Sequence, residues 1–522
     1  MKPTLERINR NGMSDWPSSN GDVANSRHAS GELAISVDTV GRLRPDFVLV
    51  SDGSNWSTPV VVGENFFFTD DAGGLTCADR QSGKLLWSRK ISDYTGVENA
   101  NARTSVVVTD DLVIVGDRAG ANLIAADRAT GERVWITRLD THPAALITGS
   151  PVLHDGVVYV GTSSLEGMRF LRDRSYRTSF IGMMVAVDAA SGRILWKTPT
   201  MPDNGGALDS WAGGAVISVP AVDATTGTVF FTTDHHYQMP AHVLAQLEAA
   251  PNNWDPAAFP DDFRASSLIA VDMQTGAVKW SFFGSGLDVW QRVCGEYPGA
   301  GFPFPVHDIG RSAGPERLVP PPTDYLNWSF AAGSPQIFDV EIEGRRRHLV
   351  GVAQKSGVYW AFDAMTGVIV WHSVVGPWSE PGGLTWGAAW DGKRLYVALT
   401  NLEQVAHRLK GGALTTGGSW AALDPASGDI LWQIAEPNGA AVYAAPVVAN
   451  GVVFGASMAT TGEQMFALDA ETGDILWRFA SGGSVAAHPA VADSKVFWGS
   501  GFRLFGGVGN NQMYVFGLGD FG

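Results

Sequence analysis

Asp234, His235 and His236 stand side by side in the stretch FFTTDHHYQMP, residues 230–240. Carboxylate and imidazole together can hold a metal ion, and they are also the pair that moves protons near neutral pH. Phe230, Phe231, Thr232 and Thr233 read as a strand that ends at this group. Neighbouring residues of a strand project to opposite faces, so one ion cannot readily take both histidines. A histidine facing a central pocket with carboxylates is suited to general acid–base work. The plainer reading is a polar strand end entering a loop.

The rest of the chain says what would position such a group. Its formal charge of −16 argues against a sequence-independent grip on nucleic acid and against anionic membrane surfaces. Abundant glycine (62) and tryptophan (19) fit many short strands joined by tight turns. The two cysteines, Cys77 and Cys294, make no disulfide framework and no CxxCH haem site. The start, MKPTLERINRNGMSDW, has no apolar core of a signal peptide, and no apolar run is long enough to span a membrane. The sequence as it stands reads as soluble and cytoplasmic; a trimmed leader would move it to the periplasm or outside.

One pattern recurs: CADRQSGKLLW (77–87), AADRATGERVW (125–135), AVDAASGRILW (186–196), AVDMQTGAVKW (270–280), AFDAMTGVIVW (361–371), ALDPASGDILW (422–432) and ALDAETGDILW (467–477). Each copy predicts a strand, an aspartate-capped turn closed by glycine, and a strand ending in tryptophan. A further strand pair precedes most copies, as in SPVLHDGVVYVGT (150–162) and APVVANGVVFGAS (445–457). Four strands per repeat describe a β-propeller blade. The long intervals from Asp188 to Asp272 and on to Asp363 must hold insertions. An eighth blade can come from both ends, with MYVFGL (513–518) pairing with an early strand such as the segment near 34–50 or 60–69. The expectation is an all-β, eight-bladed propeller, a single domain over 1–522, with no sheet edge left open at the closure.

The A-x-D-x-x-T-G-x-x-x-W pattern resembles the tryptophan-docking motif of quinoprotein alcohol dehydrogenases, eight-bladed propellers that bind pyrroloquinoline quinone (PQQ) and calcium. The likeness extends over nearly the whole chain and is nearest to the polyvinyl-alcohol-dehydrogenase-like branch. It rests also on DWPSSNGDVANSRHA (15–29), ITGSPVLHDGVVYVGTSS (147–164), VGVAQKSGVYWAFDAMTG (350–367) and FASGGSVAAHPAVADSKVFWGSGF (479–502). The resemblance implies oxidation of a small or polymeric alcohol at a pocket on the propeller axis, with a separate electron acceptor. Calcium and a basic side chain polarise a quinone carbonyl, and a carboxylate takes the alcohol proton as hydride leaves.

Residue by residue, the resemblance implies a calcium-binding role for Glu166 in GTSSLEG and a cationic role over the quinone oxygens for Lys355 in AQKSG. It places the catalytic aspartate at Asp261 or Asp262 in FPDDFRASSLIAVD, without separating them. Arg103 in NARTSVVV matches a basic residue suited to a cofactor carboxylate. Trp386 and Asn401 fall at pocket-facing positions. The plainer readings are solvated loop acids, a solvated lysine and an interblade tryptophan.

Three departures stand out. Where the family carries a tryptophan beneath the quinone, AVISVPAVD has Ile217, which offers no π surface. Where the family carries an asparagine that donates oxygen to calcium, VFFTTDHHY has His235, a poor ligand for that ion. The disulfide of adjacent cysteines that caps many such quinones has no counterpart; Cys294, in DVWQRVCG, matches the branch as a lone thiol. Alternatives therefore stay open. One is a cofactor-independent isomerase, cyclase or lyase acting on a small apolar molecule, with His235 as acid–base group. Another is a non-catalytic scaffold.

Overall fold

The computed structural model describes residues 13–519 apart from 168, 170–172, 174, 209, 244, 246–258, 284–328 and 380. In each repeat the motif aspartate folds its carboxylate over the turn that follows. Asp79 Oδ1 accepts the Ser82 N–H at 2.7 Å and the Ser82 hydroxyl at 2.6 Å. Asp127 holds Thr130, and Asp188 holds Ser191, in the same way. The glycine then donates its N–H back to the aspartate carbonyl, as Gly83 does to Asp79 at 2.9 Å. This local closure sends the chain straight into the next antiparallel strand.

The described strands form eight four-stranded antiparallel sheets and three two-stranded ribbons. Blade 1 runs from Val60–Val62 to Leu85–Lys90, and blade 2 from Val107–Val108 to Arg133–Arg138. Blade 3 runs from Val152–His154 to Ile194–Pro199, and blade 4 from Ala221–Asp223 to Val278–Phe283. Blade 5 runs from Gln336–Ile342 to Ile369–Val374, and blade 6 from Ala389–Trp390 to Ile430–Ala435. Blade 7 runs from Val447–Ala449 to Ile475–Phe479. The first strands of neighbouring blades approach one another, which sets them around the axis of an eight-bladed propeller. Blade 8 takes three strands from the C-terminal region and its outermost from Leu43–Val50, with Leu43 opposite Leu518 and Val50 opposite Gln512.

The motif tryptophans reach across the seams. Trp87 Nε1 donates to Arg128 O at 2.9 Å, Trp135 to Ala189 O at 3.1 Å and Trp196 to Met273 O at 3.1 Å. Trp280, Trp371, Trp432 and Trp477 donate likewise to Ala364, Pro425, Ala470 and Leu43. Under six of the indoles lies the motif glycine of the next blade. A Cβ on Gly131 would stand 2.6 Å from the Trp87 ring, and one on Gly192 2.7 Å from that of Trp135. Only glycine permits that approach, and its positive φ suits the turn as well. At the seam between blades 8 and 1 the ring over Gly83 is that of Phe47.

The segment before blade 8's outer strand crosses the axis. Trp16 pairs with Val61 of blade 1, and Val23 O accepts from Val222 of blade 4. Blades 2 and 3 separate those two, so the chain between Trp16 and Val23 spans the ring. It continues along the inner strands: Ala24 O accepts from Ile337, Ser26 O from Trp390 and Arg27 O from Val448. Asn25 Nδ2 donates to the carbonyls of Val219, Pro220 and Pro335. The channel is therefore plugged by the protein's own chain.

Candidate functional site

The end of the strand Thr228–Thr232 is pinned from both sides. Asp234 N donates to Ala215 O at 2.8 Å, Gly214 N to His235 O at 2.8 Å, and Ser266 N to Asp234 O at 2.9 Å. Beyond it, His236–Gln238 pairs with Ala212–Gly213 in a short ribbon outside the blade. Gly213 makes the ribbon possible: φ is +119°, and a Cβ there would meet Tyr237 N at 2.5 Å. The adjacent histidines have separate surroundings. His236 packs edge-on to Phe263, with ring centroids 5.7 Å apart, while His235 Nε2 lies 3.2 Å from Asp234 Oδ1.

Asp234 is the centre of a buried polar group. Its Oδ1 accepts the Ser329 hydroxyl at 2.8 Å, and Ser329 O accepts the Lys355 N–H at 3.0 Å. Burial pushes the Asp234 carboxyl up, but the neighbouring His235 and Lys355, the His235 main chain and the Ser329 hydroxyl together hold it below the usual carboxylate range. It is thus an ionised carboxylate largely shielded from water. Tyr237 links this group to Glu166: burial drives the phenol up, and the charges of Asp234 and Glu166 push it in the same direction.

Glu166 is fully buried, with both oxygens engaged. Oε2 accepts the N–H groups of Ser179 at 3.0 Å and Phe180 at 2.9 Å. Oε1 takes the Tyr176 hydroxyl at 3.3 Å and lies 3.4 Å from His142 Nε2. His142 Nδ1 accepts from Ala144 N–H, so the ring proton sits on Nε2, the nitrogen that also lies 3.1 Å from Ser179 Oγ. Serine and carboxylate share one ring nitrogen. This is therefore no nucleophile–base–orienter chain, which needs the two on opposite nitrogens.

The other positions singled out in the sequence separate into groups. Asp261 and Asp262 are exposed on a turn beside Arg264, whose Nη1 donates to Asp262 O at 3.3 Å. Arg103 lies over the Trp386 ring, 4.8 Å from its centroid, and Trp386 packs edge-on to Tyr443. The amide of Asn401, at φ +49°, is spent inside its own loop: Nδ2 donates to Val405 O, Thr416 O and Gly417 O, and Oδ1 accepts from Val405 N. Ile217 is half-buried against the core between blades 2 and 3. Cys77 is buried in blade 1, its thiol pushed up to about 12 by burial, so it is not a nucleophile. Cys294 lies outside the described residues.

Asp234 is the residue that sequence reasoning passed over. It was visible beside the histidines, but its importance depends on Ser329, 95 positions away, and on Lys355.

Do these residues suit calcium and a quinone? Calcium asks for several oxygen ligands free to face it. Glu166 already accepts protein donors on both oxygens, Asn401 Oδ1 accepts a main-chain N–H, and His235 presents nitrogen. Among the described residues no group of three His, Cys, Asp or Glu could hold a metal ion. The arrangement does not fit calcium. For the quinone, the cations Arg103 and Lys355 are present but the aromatic floor is replaced by Ile217. The pair does not fit as a unit.

The chain belongs to the PQQ_2 family, whose model, described as outer membrane protein assembly factor BamB, matches residues 19–282 and 416–516. It is 26% identical over 398 residues to a polyvinylalcohol dehydrogenase of Pseudomonas sp., covering 74% of this chain and 55% of that protein. It is also 26% identical over 420 residues to the polyvinylalcohol dehydrogenase of Sphingopyxis sp. strain 113P3, covering 77% and 56%. The chain thus spans about half the length of these relatives. Among solved structures, the quinohemoprotein alcohol dehydrogenase ADHIIG from Pseudomonas putida HK5 superposes with a TM-score of 0.70 at 19% identity, covering 97% of this chain and 81% of that one. That likeness establishes the shared propeller fold. No helix among the described residues is long and apolar enough to cross a membrane.

Proposed function

We propose that this chain is an alcohol oxidoreductase of quinoprotein descent, with Asp234, His235, Ser329 and Lys355 as the residues that handle the alcohol. The observation that carries the reading is the buried Asp234 carboxylate, kept ionised between His235 and Lys355. Oxidising an alcohol removes a proton from oxygen and a hydride from carbon. A desolvated carboxylate with a hydroxyl and an imidazole beside it is suited to take the proton. The Lys355 ammonium favours negative charge developing on the substrate oxygen. The Ser329 hydroxyl fixes the carboxylate's orientation. No side chain accepts hydride, so the reaction needs an external two-electron acceptor, and calcium has no place in this proposal. Asp261 and Asp262, the aspartates that the resemblance nominates, are exposed and in this proposal bind or guide rather than abstract a proton.

The relatives named for polyvinyl alcohol make polymeric and secondary alcohols the first substrates to try. Dye-linked oxidation of small primary alcohols, secondary alcohols and polyvinyl alcohol would be measured with added PQQ, with and without calcium or chelator. Activity that needs PQQ and is indifferent to chelator supports the proposal. Activity that calcium restores would place the metal back in the site and contradict the assignment of Glu166.

A second reading has a specific observation behind it. With Glu166 saturated and Ile217 in place of an aromatic floor, the same Asp234–His235 pair suits cofactor-independent proton transfer, as in an isomerase or lyase. Turnover without any electron acceptor would favour that reading.

A further inference from the structure

A small cavity sits on the axis above the plug. Thr58, Ser105, Ser150, Val219, Ser334 and His488 line it, each two residues ahead of the first strand of its blade. The position is therefore equivalent in six blades, which places the cavity at the centre of the ring. Its floor is the plug itself, through Ser19, Asn20 and Arg27.

The charge and hydrogen bonding of this cavity are one-sided. Arg27 is fully buried, yet makes no ion pair among the described residues. Its Nη1 donates to Ala388 O at 2.9 Å and its Nη2 to Trp386 O, while Nε has no partner. Burying this guanidinium is costly, and the nearby charge of Asp22 offsets that only in part. Among the described residues no carboxylate lines the cavity. Arg103, also in the lining, makes no ion pair among the described residues and meets only the Trp386 face. Trp56 and Trp386 line the same space, and the indole N–H of each is buried without a hydrogen-bond partner. His488 cannot add to the positive charge, because burial and Arg27 hold it down to about 3; its Nε2 lies 3.2 Å from Ser19 O. The lining thus offers two cations, N–H donors without partners and hydroxyls, while the carboxylate that acts on Arg27, Asp22, lies outside it.

We propose that this axial cavity binds a small monovalent anion, of halide to formate size, held by the Arg27 guanidinium and the indole N–H groups of Trp56 and Trp386. The volume sets the size class: about 40 Å³ holds such an ion with a water or two, but not a fused tricyclic ring. Arg103 and Trp386 of this lining are also residues that the resemblance assigns to the quinone, whereas Asp234, His235, Ser329 and Lys355 lie outside it. The anion would neutralise Arg27 and lock the plug to the blades, since Arg27 and Asn25 tie the plug to blades 4, 5 and 6.

The test uses the intact chain exchanged into sodium gluconate, an anion too large for the cavity. Bromide and formate are then added at constant ionic strength while Tm is read, and crystals grown in bromide are examined for anomalous scattering. The expected result is a saturable rise in Tm with bromide and with formate, and an anomalous peak in the cavity within hydrogen-bonding distance of an indole nitrogen. Trp56→Phe keeps a benzene ring and removes the pyrrole ring with its N–H donor, and is expected to raise the half-saturation concentration about tenfold. Trp386→Phe serves the same purpose if the first variant does not fold. Water alone in the cavity, a Tm that rises without saturating, or saturation unchanged in both variants would overturn the proposal.

Discussion

Seven seams of this propeller and the buried group around Asp234 are held by polar contacts of very different kinds. At each seam an indole donates to a carbonyl of the next blade, and six of these indoles also cover a motif glycine. The same contact is made again and again, by residues at fixed spacing within a repeat. Around Asp234, by contrast, His235, Ser329 and Lys355 occur once each, and the group draws on three separate stretches of chain. The seams share the work of holding the ring among equivalent residues, whereas the group around Asp234 is not repeated. Loss at a seam should therefore cost stability, and loss in the pocket should cost chemistry with the fold intact.

Lys355→Ala breaks the chemistry without touching a seam. It removes the lysine charge that helps keep Asp234 ionised and that the proposal sets against the substrate oxygen, and kcat is expected to fall by about 10²–10³. Thermal unfolding of the variant should stay close to that of the parent; a large drop in Tm instead would make Lys355 a structural residue.

Trp87→Ala attacks a seam. It deletes a buried indole, its hydrogen bond to Arg128 O and its cover over Gly131, with an expected loss of about 3–5 kcal/mol in denaturant unfolding. The kinetic constants of the protein that remains folded should be unchanged.

A polar seam adds a pH dependence. His348 bridges blades 4 and 5, with Nε2 2.8 Å from Asp223 Oδ2 and Nδ1 2.9 Å from Asp339 Oδ1. Hydrogen bonds and charge from these two carboxylates push the imidazole from 6.5 up to about 9, against the opposing effect of burial. The folded-state value lies above the unfolded one. Its stabilisation is therefore complete below about pH 6.5 and is lost as pH rises through about 9. With the imidazole still 28% exposed, screening leaves about 1–2 kcal/mol. The stability difference between the parent and His348→Gln should shrink over that window; a constant difference would mean that the bridge carries no charge.

The smallest effect comes from Trp371→Phe, which keeps a benzene ring in the seam and removes the pyrrole ring with its bond to Pro425 O. It should cost about 0.5–1.5 kcal/mol. A loss as large as that expected for Trp87→Ala would show that the pyrrole ring and its hydrogen bond, rather than packing of the benzene ring, hold the seam.

This contrast also explains what was legible in the sequence. Repetition announces itself, so the blades, the turn aspartates and the seven tryptophans could be read from spacing alone. The eighth seam could not, because Phe47 lies in a strand with no motif around it and gains its place only when Leu43–Val50 pairs with Gln512–Leu518. In the pocket, resemblance drew attention to Asp261 and Asp262, while the buried carboxylate lay 27 residues earlier by the numbering, beside the histidines already noticed. Nothing local distinguishes Asp234 from a strand-end aspartate until Ser329 and Lys355 are folded against it. Arg27 was hidden in the same way, within a polar N-terminal stretch whose path across the axis has no sequence signature.

The most direct test of the pocket compares two variants in the same dye-linked alcohol assay, once the electron acceptor that supports turnover is in hand. Asp234→Asn preserves shape and removes the proton acceptor, and the paired Asp261→Asn, Asp262→Asn variant removes both exposed acids. The account predicts that Asp234→Asn lowers kcat by about 10²–10⁴ while the paired variant stays within about threefold of the parent. The reverse order, with the paired variant inactive and Asp234→Asn near parental activity, would contradict it.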